Sequence, residues 1–233
     1  MGCWLMPNTL GTSQFFMGLG TASANNWLGF SLSASLVPQI TASLASANTV
    51  SLTTAMGINT WNFFLGRFIS ATSRRLSVYH AQDTSAGLIE HGQATTSKAP
   101  TGLNSFGLGL IETSAESAWL DGTLAECWIT NTDIVGSDIA TPNDLVMQMA
   151  FGGPFSRPDV ASSVVEYIDL LNWIPPTQRT PDDDVYEKGR ASGTDIPWRV
   201  GASSLSSGPL LTLHPPLPYW YRRPAPTPRI LTI

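Results

Sequence analysis

The chain has 233 residues, 42% of them hydrophobic and only 12% charged, with twelve basic against seventeen acidic side chains and a net charge of −5. That length suits one large β-sandwich, or a domain with an extended tail. The acidic balance argues against a dedicated nucleic-acid binder, and no apolar run is long enough to span a membrane.

In chain order, residues 2–7 (GCWLMP) read as a strand opening almost at the first methionine. Such a strand must pair at once with a later segment, unless an upstream piece is missing. Strands are expected next at 14–19 and 27–33. In the second, Leu28, Phe30 and Leu32 point one way and Gly29, Ser31 and Ser33 the other. After Pro38, weak strands are expected at 39–43 and 49–53. The best-defined set follows at 61–69, 75–81, 105–111 and 123–130. Leu76, Val78 and His80 alternate with Arg75, Ser77 and Tyr79, and Phe106, Leu108 and Leu110 alternate with Gly107 and Gly109. The span 82–104 is rich in Ser, Gly and Thr and reads as a connection. Alternation with a period of two, bounded by turn residues, predicts antiparallel strands in a sandwich or jelly roll.

Thr141-Pro142-Asn143-Asp144 has the form of a helix start, leading into one or two turns at 145–149 that Gly152-Gly153-Pro154 ends. Residues 164–171 offer a last strand with neither face purely apolar, as at a sheet edge. From Pro175 onward no regular structure is expected. The chain divides into a sandwich at 2–173 and an extended arm at 174–233. Prolines at 215, 216, 218, 224, 226 and 228 favour polyproline II in the arm. Tyr219, Trp220 and Tyr221 in its middle suit docking on another protein surface, with Arg222 and Arg223 pairing to acidic groups there.

The first 66 positions carry no charged residue. A free surface normally uses charge for solubility and to guard strand edges. Either this is an unusual composition on an ordinary sandwich, or neighbouring subunits cover much of the region. Cys3 and Cys127 make no disulfide framework; two buried thiols are expected, or one bridge if their strands are neighbours. The start lacks the basic residues of a secretory signal. Met6 stands where a myristoylation pattern needs Ser or Thr. The expectation is a protein made in a cytoplasm and not exported by its own signal.

Few residues suggest chemistry. A retaining glycosidase needs two carboxyl groups roughly 5–5.5 Å apart. Glu112 and Glu116 are too far apart on a strand, Glu166 and Asp169 face opposite ways, and Glu126 reads as a structural acceptor. His80, His91 and His214 lack zinc spacing. Asp182, Asp183 and Asp184 form a solvated acidic run rather than a calcium loop. No Gly-x-Ser-x-Gly elbow is present. No catalytic residue, cofactor or metal ligand is therefore expected. Glycan binding would place an aromatic platform beside loop Asn or Asp: Trp27 with Asn25 and Asn26, or Trp119 with Asp121.

Five segments in order resemble strands of laminin G-like, concanavalin A-like jelly-roll domains. They are GCWLMP at 2–7, WNFFLGRF at 61–68, RRLSVY at 74–79, SFGLG at 105–109 and WLDGTLAECWI at 119–129. The resemblance covers roughly residues 2–132. Forms of this domain with a Pro-rich tail containing His-Pro-Pro resemble proteins encoded by tailed bacteriophages. The resemblance implies a non-enzymatic virion structural protein, assembled in the host cytoplasm as a homo-oligomer. It would act as a capsid decoration protein on the major capsid protein, or as a glycan-binding module among tail components. It also implies a further strand before residue 2, whose place a tail segment or a neighbouring subunit would fill, or whose edge would remain open.

Overall fold

The structure, a computed structural model, describes residues 1–21, 25–81, 86–103, 105–109, 120–134, 141–154, 160, 163–168 and 198–200. The first sheet contains β1 (Gly2–Pro7), β6 (Asn62–Ser70), β7 (Ser73–His80), β8 (Ile89–Ala94), β10 (Gly122–Thr130) and β11 (Val164–Ile168). The second contains β2 (Gln14–Gly20), β3 (Asn26–Leu32), β4 (Pro38–Leu44), β5 (Ser46–Ser51), β9 (Ser105–Leu108) and β12 (Trp198–Val200). The spatial orders are β11-β10-β1-β6-β7-β8 and β12-β9-β2-β3-β4-β5. Every pairing is antiparallel except that of β12 with β9. A helix, α1 (Pro142–Gly152), joins them among the described residues. The chain is an all-β sandwich with a helical cover.

The core between the sheets follows from the alternation. Cys3, Leu5, Phe64, Leu76, Val78 and Cys127 meet Phe16, Leu28, Phe30, Leu32, Ile40 and Leu108. Phe16 sits at the centre, its ring 5.6 Å from Phe30 and 4.8 Å from Phe64. A bulge keeps β10 in phase. Leu124 and Cys127 both face inward although an odd number of positions separates them, because Glu126 takes a positive φ of 48° and the register to β1 shifts there.

The middle strands of the first sheet, β1 and β6, are buried on both faces as far as Gly66. Trp4, Met6, Phe63, Leu65, Ala125 and Trp128 point away from the core and pack under Leu145, Val146, Met149 and Ala150 of α1. The helix starts where Thr141 accepts from the Asp144 amide (3.2 Å) and ends at Gly153, whose φ is 63°.

Three differences from expectation have physical causes. The helix runs eleven residues rather than one or two turns, since it has a whole sheet face to cover. The span read as a connection at 82–104 contains β8. The expected irregular arm contributes β12, beside β9. The strand opening at residue 2 lies mid-sheet, paired with both β6 and β10, so it leaves no open edge there. Cys3 and Cys127 are free thiols, fully buried on these neighbouring strands. Burial, reinforced by Cys3, raises the Cys127 thiol well above its usual range.

Candidate interaction surface

Burial within the chain accounts for part of the charge-free region. Every residue of β1 is buried, as is β6 as far as Gly66. The face of the second sheet that points away from the core, built by β2, β3, β4 and β5, is also buried over most of β3 and β4 and is exposed along β5. It carries Phe15, Gly18, Trp27, Gly29, Ser31, Gln39, Thr41, Ser43, Ala47, Thr49 and Ser51, none of them charged.

Its middle is a lane of small residues in register. Gly107 of β9 faces Gly18, Gly18 faces Gly29, Gly29 faces Thr41 and Thr41 faces Thr49. A Cβ on Gly18 would stand 2.8 Å from the Leu28 carbonyl oxygen, and one on Gly29 2.6 Å from that of Met17. The two strands approach so closely that only glycine fits at this crossing. Phe15 and Trp27 flank the glycines, and their rings meet edge to face at 5.1 Å. Neither ring belongs to the clusters on either side of the first sheet. Polar side chains finish the face: Thr41 and Thr49 hydroxyls lie 2.8 Å apart, and Gln39 donates to Ser51 at 2.9 Å.

The described residues considered for glycan binding fall in two places. Trp27 is only 8% exposed. The Asn26 side chain clamps a loop, donating to the Thr101 carbonyl (2.5 Å) and accepting from its amide (3.1 Å). Asn25 is exposed beside it. Asp121 lies at the other end of β2, where its amide donates to Gln14 (2.9 Å) and its carboxylate accepts from Asn8 (3.3 Å). Trp119 lies outside the described residues, as do Glu112, Glu116, Asp169, Asp182, Asp183, Asp184, His214, Tyr219, Trp220, Tyr221, Arg222 and Arg223.

Two histidines, by contrast, join polar networks on opposite faces of the β7–β8 pair. On the outward face, His91 Nε2 donates to Asn143 Oδ1 (2.6 Å), which leaves Nδ1 to accept from the Ser77 hydroxyl (2.8 Å). This tautomer polarises a serine, the first requirement of a nucleophile. Ser77 is nevertheless 8% exposed and stands mid-strand; the relay pins the start of α1 to the sheet. On the inward face, His80 and Glu90 approach at 3.4 Å. Glu90 also accepts from the Thr53 hydroxyl (2.5 Å) and the Thr54 amide (3.1 Å). Burial works to raise the Glu90 carboxyl, but these hydrogen bonds outweigh it and hold the group below the usual carboxylate range. Asp133 is likewise held low by its fork with Arg67, at 2.7 and 2.8 Å.

Both depressed carboxyls favour the folded state above their unfolded pKa of about 4. That contribution disappears as pH falls through the folded values. The urea midpoint is therefore expected to drop below about pH 4, and Glu90→Gln should flatten the drop while lowering the neutral-pH plateau.

A cavity of about 150 Å³ opens at one end of the sandwich, lined by Leu19, Leu28, Phe68 and Ile129 and closed by Arg67 and Asp133. It is well below the roughly 300–1,000 Å³ of small-molecule sites. Among the described residues no group of three His, Cys, Asp or Glu side chains could hold a metal, and no helix is long and apolar enough to cross a membrane. The fold is a two-sheet β-sandwich whose exposed edge strand β5 carries no charge. Compared with known proteins, the chain matches no family model and no curated sequence.

Proposed function

We propose that the chain is a non-enzymatic virion structural protein with a concanavalin A-like jelly roll, of the decoration or cement type. It binds a phage particle through its charge-poor sandwich face and its C-terminal arm. The observation that carries this reading is the uncharged far face of β2–β5, buried at Trp27, Ser31, Thr41 and Ser43 and exposed at Ala47, Thr49 and Ser51, where docking would desolvate no ion. The ordered motifs that resemble the jelly-roll family, and the His-Pro-Pro arm, support it. Tyr219, Trp220 and Tyr221 would anchor the arm, each offering a large contact area at low rotamer cost.

Antibody labelling of purified particles, viewed by electron microscopy, tests the reading. Label over the head is expected. Label at the tail would favour a glycan-binding adhesion module, and no label would overturn both. Deleting residues 214–233 is expected to abolish attachment without unfolding the sandwich, as circular dichroism of the truncated chain would read. Attachment that survives it would remove the arm from the mechanism.

A further inference from the structure

Among the described residues, four strands stand at sheet edges: β5, β8, β11 and β12. β8 carries Glu90, a charge of the kind that guards an edge against pairing, and the sequences of β11 (VVEYI) and β12 (WRV) each include a charged residue. The edge strand β5 (SANTVS) has no charge, proline, glycine or bulge, and Ala47, Thr49 and Ser51 are exposed along it. The direction of its backbone groups follows from its neighbour. The Leu52 amide donates to Pro38 of β4 (3.0 Å), so by strand alternation the even-numbered residues bond inward. The amide and carbonyl groups of Ala47, Thr49 and Ser51 then point out of the sheet, and they meet no partner among the described residues.

The charges flanking the strand choose its partner. At the start of β5, the Lys98 ammonium donates to Ser46 Oγ (2.7 Å) and the Leu44 carbonyl (3.3 Å). At its far end, the Glu90 carboxylate sits against Thr53 and Thr54. An antiparallel second copy brings each cation toward the other copy's anion; a parallel one brings like charges together. We infer that β5 is a self-association edge, on which a second copy of this chain pairs antiparallel about a two-fold axis at Thr49. Thr49 then faces its own counterpart, and Ala47 faces Ser51 of the other copy. The ladder continues the threonine pairing that Thr41 and Thr49 make within the sheet. Each copy offers one such edge among the described residues, so the assembly closes at two. The inference deepens the assembly reading above by naming the surface for the homo-oligomer, and it does not involve the arm.

The test is made on the purified full chain. Residues directly opposed in a hydrogen-bonded antiparallel pair lie about 5.5 Å apart at Cα, within disulfide range. A Thr49→Cys variant treated with oxidised glutathione is expected to form a covalent dimer on a denaturing gel, by exchange that releases two equivalents of glutathione. Ser35→Cys, exposed on a different loop, is expected to remain monomeric. By sedimentation, Thr49→Lys should weaken the dimer by roughly tenfold, because the symmetry places two like charges opposite each other. Its circular dichroism should match that of the wild type. A wild type that is monomeric at all concentrations, equal cross-linking of the two cysteine variants, or a Thr49→Lys chain that dimerises undiminished would each overturn the pairing. None of these results bears on particle attachment, which the labelling reads separately.

Discussion

Trp4→Ala is expected to lower the unfolding free energy by about 3–5 kcal/mol, the usual range for removing a buried tryptophan. Three features place Trp4 high in that range. It is fully buried on the outward face of the strand that lies between β10 and β6. Its ring lies 5.5 Å from Phe63, 6.2 Å from Phe151 and 6.3 Å from Tyr79. Its Nε1 donates to the Ala150 carbonyl at 3.1 Å, a bond between strand and helix across 146 positions. Alanine leaves a cavity under α1 and a buried carbonyl without its donor. The expected readout is a lower urea midpoint with an unchanged slope. Trp4→Phe keeps most of the volume and loses the hydrogen bond, so its loss should be well under half as large. Equal losses for the two variants would mean that the hydrogen bond, not the packing, holds the helix in place.

Sequence alternation alone was sufficient where one side of a strand is apolar. It located β1, β2, β3, β6, β7 and β10 to within a residue or two, and the Thr141 cap with the Gly153 stop placed α1. It failed at β8. The inward side of that strand is Glu90, Gly92 and Ala94, which reads as a polar connection. Glu90 is tolerated there because Thr53, Thr54 and His80 supply its hydrogen bonds, and no local pattern announces partners that lie so far away in sequence. Gly92 is needed because Val50 and Leu52 fill the space a side chain would take. The strand β12 was equally illegible, since three residues paired in parallel leave no period to read.

The surface was half visible. The charge-free first 66 residues pointed to covered area, and the structure shows how much of it lies within the chain: β1, most of β6 and nearly all of β3 and β4 are buried, while β5 is exposed. The aromatic residue singled out beside Asn25 and Asn26 is packed against Phe15 rather than standing free. The Gly18–Gly29 crossing beneath it depends on strand register, and register is not written in either strand alone. The Ser77–His91–Asn143 relay draws on two strands and a helix, so no linear motif could have signalled it.

Arg74→Leu is expected to be the other severe substitution, costing about 3 kcal/mol or more. Arg74 faces the core side of β7 and is fully buried, yet no carboxylate pairs with it among the described residues. Its guanidinium donates instead to the carbonyls of Ala71 (3.0 Å), Thr96 (3.1 Å) and Lys98 (3.3 Å), and to Asn48 Oδ1. Burial lowers its pKa, but four acceptors keep the charge solvated by protein dipoles. Those contacts tie the chain between β8 and β9 across one end of the sandwich, beside the β6–β7 turn and β5. Leucine would fill the volume and leave the acceptors unpaired, at roughly 1–3 kcal/mol for each that water cannot reach. Arg74→Lys keeps the charge but not the fork, so it should recover part of the loss. Limited proteolysis within residues 95–103 gives the second readout: cleavage should quicken in Arg74→Leu well below its unfolding midpoint. A variant that is destabilised but no more readily cut there would place the role of Arg74 in the core, and not in holding the crossing.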